Sequence, residues 1–166
     1  TLWNARIPFD DLTRDYFRDL YGRAGDRIRR LQEEVSRRID PAYLRGEKKR
    51  PLDHRRAARA YAELADWIGR QGRIAGAVSG TEADRRYSRV LLRYYLDYVA
   101  DWARLASQVA ARDGGATEAL SRFERRWEAR LMEVHPVLDT WMVRALLRHL
   151  VASAGLPVRE RIWINR

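Results

Sequence analysis

The chain has 166 residues, 46 % of them hydrophobic, which is enough for one domain with a substantial core. It contains no cysteine, which excludes disulfides, thiolate metal sites and cysteine nucleophiles, and no apolar run near the roughly 20 residues that span a bilayer. A formal net charge of +10 points to nucleic acid or an anionic surface, but Lys48 and Lys49 are the only lysines among 33 basic residues. An arginine excess of that kind also follows from a codon bias toward G and C, and 23 acidic residues are interspersed with it.

The start, Thr1 to Phe9, is short and apolar, and Pro8 disfavours helix at Ile7. It has no charged region leading into an apolar one, so it does not read as a signal peptide. It also lacks an initiator Met, and the chain reads as a piece of a longer protein. Asp10 or Asp11 suits an N-cap, with Leu12, Tyr16, Phe17 and Leu20 as the buried face of a first helix that Gly22 stops. Gly25 marks a further break or a close contact. Ile28, Leu31, Val35 and Ile39 carry the second helix, flanked by the pairs Glu33–Arg37 and Glu34–Arg38. Asp40-Pro41 ends it. Arg45, Gly46, Lys48, Lys49, Arg50 and Pro51 make a basic, breaker-rich loop.

Asp53 caps the next helix, whose core face is Ala57, Tyr61, Leu64, Ala65 and Ile68. Gly69, Gly72 and Gly76 then either admit a neighbouring helix or mark the fraying of this one. Thr81, with Asp84 three residues on, caps the longest element, a central helix over about 82–112. One stripe of it is Leu91, Tyr95, Tyr98, Trp102, Leu105 and Val109; a second is Leu92, Leu96, Val99, Ala103, Ala106 and Ala110. Two adjoining apolar stripes demand partners on more than one side. Asp113-Gly-Gly-Ala ends this helix. Thr117 starts another on Leu120, Phe123, Trp127, Leu131 and Val134, closed by His135-Pro136. The last helix runs on Leu138, Trp141, Met142, Ala145, Leu146, His149 and Leu150 and stops at Gly155. The pattern predicts a single all-α domain over 1–166, a bundle of about six helices.

Chemistry-bearing constellations are sparse. His54, His135 and His149 fall on three different elements without metal-ligand spacing, and His149 reads as a core residue. Asp97 and Asp101 are one turn apart but interleaved with Arg93 and Arg104, the pattern of a salt-bridged polar face. Trp102 and Trp127 fall in register with core aliphatics, as does Trp141. There is no P-loop, GxGxxG or G-x-S-x-G, so no cofactor and no catalytic residue is assigned.

Leu2-Trp3-Asn4, Asp10-Asp11-Leu12, Asp15-Tyr16-Phe17 and Leu20-Tyr21-Gly22-Arg23-Ala24 form a string with its own meaning. It resembles the junction after the catalytic barrel in large bacterial glycoside-hydrolase-like proteins. These include a broad family known only as a domain of unknown function, with α-glucuronidases and bacterial β-N-acetylglucosaminidases as more distant relatives. Tyr87-x-Arg89-Val90 is similar to the start of a long helix in that family, while Asn4 is followed here by Ala5, with proline at Pro8. The resemblance implies an accessory helical domain whose catalytic carboxylates lie upstream on barrel strands, with Trp3 and Asn4 near a sugar site. It implies no activity for the chain alone, and either a barrel of the same protein or a second copy as partner. The competing expectation is an arginine-rich nucleic-acid-binding module using Arg45, Lys48, Lys49, Arg50, Arg55, Arg56 and Arg59.

Overall fold

Apolar residues three and four positions apart favour helix, and among the described residues every regular element is helical. The computed structural model describes residues 8–44, 53–78, 83–130 and 140–158, apart from the side chains of Leu44, Asp84, Thr140, Trp141 and Val143. In chain order the helices are α1 (Phe9–Tyr21), α2 (Gly25–Arg38), the single turn α3 (Pro41–Leu44), α4 (His54–Gln71), α5 (Ala83–Ala110), α6 (Ala116–Glu128) and α7 (Thr140–Ser153). The fold is an all-α helical bundle, and no described helix is long and apolar enough to cross a membrane. The chain divides into two compact units, with breaks between Ile39 and Asp40, Asp66 and Trp67, and Tyr98 and Val99. Both α4 and α5 contribute residues to each unit.

In the first unit, α1 begins at Phe9, one residue before the expected caps. The Pro8 carbonyl accepts the N–H groups of Asp11 and Leu12 at 3.0 and 3.1 Å, and no side chain caps the helix. Asp10 and Asp11 sit instead in its first turn, where their charge complements the helix dipole. Phe17 and Tyr21 are buried, whereas Leu12 and Tyr16, expected in the core, are exposed. Gly25 explains the turn of the helix about its axis. A Cβ there would stand 2.5 Å from the Phe17 carbonyl oxygen, so the start of α2 lies directly on the α1 backbone at Phe17 and Arg18. That contact selects the face bearing Phe17 and Tyr21, and Phe9, Leu12 and Tyr16 lie roughly a third of a turn away from it.

Ile28, Leu31 and Val35 of α2 are buried as its spacing predicts. Glu34 meets Arg38 at 2.7 Å, but Glu33 pairs back to Arg29 at 3.4 Å while Arg37 turns to Glu34 at 2.7 Å. Arg38 also lies over the Trp67 ring, 4.7 Å from its centre. Beyond Gln71 the backbone tightens into a 3-10 helix, Gly72–Ala77, which buries Ile74 and Ala75. Gly69, Gly72 and Gly76 face open space, so they mark the loosening end of α4 and not a close helix contact. The first half of α5 closes this core with Leu92, Leu96 and Tyr98. Burial pushes the Tyr95 hydroxyl up to about 12.

The second unit is built on rings. The His54, Tyr43, Tyr61 and Trp102 rings follow one another at centroid spacings of 6.3, 6.0 and 5.4 Å, the last pair edge to face. Asp40 accepts the Tyr43 N–H at 3.0 Å, and Asp53 caps α4 by accepting the Arg56 N–H at 2.9 Å. The second half of α5 buries both predicted stripes, from Val99 and Trp102 to Val109 and Ala110. Its end is a Schellman motif: the Asp113 and Arg112 N–H groups donate to the Gln108 and Val109 carbonyls, each at 3.0 Å. Arg112, not a glycine, takes the positive φ of 54°. The same motif ends α7, where Gly155 holds that position with φ 74°.

The last helix differs most from expectation. Leu147, Leu150 and Val151 form its buried stripe, while Met142, Ala145, Leu146 and His149 face outward. Residues 131–139, Thr81, the Asp84 and Trp141 side chains and the tail from Arg159 lie outside the described residues.

Trp102→Ala should cost roughly 3–5 kcal/mol, as large-to-small core changes do, and Arg93→Ala on the exposed face about 0.5 kcal/mol or less. Equal effects in denaturant melts would reverse the assignment of faces. Arg112→Gly should stabilise the protein by about 1 kcal/mol, since it relieves a left-handed backbone without a Cβ. A loss of stability in the same melts would show that the Arg112 side chain outweighs that strain.

Candidate functional site

Two polar features stand out in the second unit, and both are built on α6. The first is a buried charge cluster. Glu124 lies mid-helix on the packed face of α6, in the same stripe as Leu120 and Trp127, and is only 6 % exposed. A carboxylate in that position must be paired. Arg148 of α7 donates from Nε to Oε1 at 2.5 Å and from Nη2 to Oε2 at 3.1 Å, a two-pronged contact. Arg144, one turn earlier, donates from Nε to Oε1 at 3.0 Å and pairs with Glu128 at 3.5 Å. Burial alone raises a carboxyl pKa; here the hydrogen bonds and charges of Arg148 and Arg144 outweigh it, and Glu124 is held below its ordinary value.

The second feature is a cleft of about 320 Å³ between α5 and α6. Asp101, Arg104, Leu105 and Gln108 line one wall, and Ala119, Arg122, Phe123 and Arg126 the other. Each set follows helical spacing, so one stripe of each helix faces the cleft. Asp101 Oδ1 accepts from Arg104 Nη1 at 3.1 Å, and its Oδ2 pairs with Arg126 Nη1 at 2.7 Å. Gln108 Oε1 is buried without a hydrogen-bond partner among the described residues.

The predicted site residues divide by position. Trp3, Asn4, Arg45, Lys48, Lys49 and Arg50 lie outside the described residues. Arg55, Arg56 and Arg59 are exposed in the first turns of α4, with no ion pair among the described residues. Most other arginines in close contact with acids are spread along helix faces, as with Arg14–Asp11 and Arg37 and Arg38 with Glu34. Asp101 joins Arg104 as expected, but Arg93 and Asp97 form no ion pair among the described residues. His149, expected in the core, is exposed with Nε2 3.4 Å from Ser153 Oγ, because α7 buries its other stripe. His54 Nδ1 lies 3.3 Å from the Tyr43 hydroxyl. Among the described residues no group of three or more His, Asp or Glu is arranged to hold a metal.

Sequence reasoning missed Glu124 and its arginines. The available signal was two like-charged pairs of opposite sign at i, i+4, Glu124 with Glu128 on one helix and Arg144 with Arg148 on another. No protein-family model, curated protein or solved structure matches the chain.

Glu124→Gln should cost about 3 kcal/mol near neutral pH, the lower end for a broken buried pair, because Arg148 keeps 24 % of its side-chain surface exposed. The folded pKa is depressed, so the stabilisation is present above the unfolded value of about 4.3 and fades as pH falls through the folded one. The gap between wild type and variant in denaturant melts should therefore narrow below about pH 4. A gap that stays constant down to pH 2 would mean Glu124 does not titrate with folding.

Proposed function

We propose that the chain is a non-catalytic accessory helical domain of a carbohydrate-active, glycoside-hydrolase-like protein, bracing an upstream catalytic barrel. The outer face of α1 is the observation that supports this reading. Phe9, Leu12 and Tyr16 are 78 %, 56 % and 59 % exposed along one side of a helix whose other side is packed. A contiguous apolar stripe on a strongly charged surface is suited to docking. It starts a few residues after Trp3-Asn4, where the resemblance puts the end of the last barrel strand, so a barrel is the neighbour within reach. Trp3 and Asn4 then belong near the sugar site, and the catalytic carboxylates belong to the barrel. The exposed face of α7, with Met142 and Leu146, would serve the same role through self-association.

A second reading, nucleic-acid binding, has one observation in its favour. Arg55 and Arg56 occupy the first turn of α4, where the helix dipole disfavours positive charge, and their side chains form no ion pair among the described residues, although the Asp53 carboxylate caps the same turn.

The first reading predicts that replacing Phe9, Leu12 and Tyr16 with Ser changes the stability of the 166-residue chain little, about 0.5 kcal/mol per site. The coding sequence before Thr1 should specify alternating strands and helices, and the same substitutions should clearly lower the melting temperature of that longer protein. A start codon immediately before Thr1, or turnover of aryl glycosides by the chain alone, would overturn it. Duplex DNA should bind only weakly, at about 10⁻⁴ to 10⁻⁶ M, without sequence preference. Nanomolar binding at physiological salt, lost on neutralising Lys48, Lys49 and Arg50, would give the function to the second reading.

A further inference from the structure

We propose that the cleft between α5 and α6 is a binding site for a small hydroxylated phosphate monoester. The inference does not depend on the accessory-domain reading, since it rests on the cleft alone. At about 320 Å³ the space is at the small end of ligand cavities, suited to a body of about five or six carbons.

Charge comes first. Arg104, Arg122 and Arg126 line the cleft with one carboxylate, Asp101, so the lining itself carries two positive charges, with Glu118 outside it 4.0 Å from Arg122. A phosphate monoester carries about −1.5 to −2 near neutral pH, which matches that excess where a monocarboxylate would leave half of it. Donor supply comes second. Arg104 and Arg126 each address Asp101 through Nη1, and a guanidinium has further N–H donors in the same plane. Asp101 thus holds two forks on either side of the cleft, which lowers the entropy lost when they close on an anion. Among the described residues Arg122 pairs with Glu118 alone, at 4.0 Å, so it is the guanidinium most able to swing onto a ligand.

The remaining lining separates an organic phosphate from a bare ion. Gln108 Oε1, buried and unpartnered, is an acceptor that needs a donor, and phosphate oxygens of a dianion supply none. A hydroxyl on the ligand body would satisfy it. Leu105 and Phe123 add apolar surface against which that body can lie.

Isothermal titration calorimetry of the 166-residue chain tests this with ribose 5-phosphate, ribose and inorganic phosphate as probes. Ribose 5-phosphate should bind at least tenfold more tightly than either fragment. Arg122→Ala should weaken it about tenfold with an unchanged circular dichroism melt. Gln108→Leu should remove most of the advantage over inorganic phosphate while leaving the affinity for inorganic phosphate within twofold. Equal affinity for ribose 5-phosphate and inorganic phosphate in the wild-type protein would overturn the proposal, as would full-strength binding by Arg122→Ala. The wild-type comparison decides the question even if a variant fails to fold.

Discussion

Glu124 is a carboxylate that α6 cannot bury without α7. Taking a charge out of water costs several kcal/mol, and among the described residues Arg148 and Arg144 of α7 return it through close, directional hydrogen bonds. That requirement fixes the rotation of α7 about its axis. Hydrophobic area alone would not, because α7 carries two comparable apolar stripes. Leu147, Leu150 and Val151 gain roughly 1.5–3 kcal/mol each on burial, and Met142 and Leu146 would gain similar amounts per residue. With the apolar choices so nearly balanced, the ionic seam decides between them. It turns one stripe inward and leaves Met142 and Leu146 exposed.

The arginines of this chain therefore do more than one job. Arg144 and Arg148 act as structural cations, largely withdrawn from solvent and matched by a carboxylate. Arg14, Arg37 and Arg38 are solvated partners of acids on their own helices, worth only a few tenths of a kcal/mol each. Arg104 and Arg126 stand between these classes, tied to a carboxylate yet lining an open cleft. Net charge by itself cannot sort these roles, since each arginine adds the same unit to it.

What the sequence made legible follows the same physics. The two stripes of α5 and the core of α2 were readable because each has one apolar solution, and no rotation of the helix hides more. The cap at Asp53 and the stop at Gly155 were readable because they are local. The faces of α1 and α7 were not. Each offers two apolar stripes, and the choice is made by groups distant in sequence or without apolar character: Gly25 against the backbone of Phe17, and Glu124 against Arg148. The cleft was equally hidden, since its two walls are unremarkable polar stripes until two helices are set side by side.

Each compact unit is discontinuous in the chain, and this sets an order in time. α1 and α2 are made before the rest of their unit, which extends to Tyr98, about sixty residues after Ile39. At roughly 5–20 residues per second, the apolar faces of this helical pair wait about 3–12 s for the first half of α5. During that interval Ile28, Leu31 and Val35 lack Leu92 and Leu96 of α5, which complete the core of their unit. The second unit waits in turn, with Tyr43 and Tyr61 made well before Trp102. For the first unit, exposure to chaperones and to other nascent chains therefore lasts until the first half of α5 is made, whereas the second unit still awaits α6 and α7.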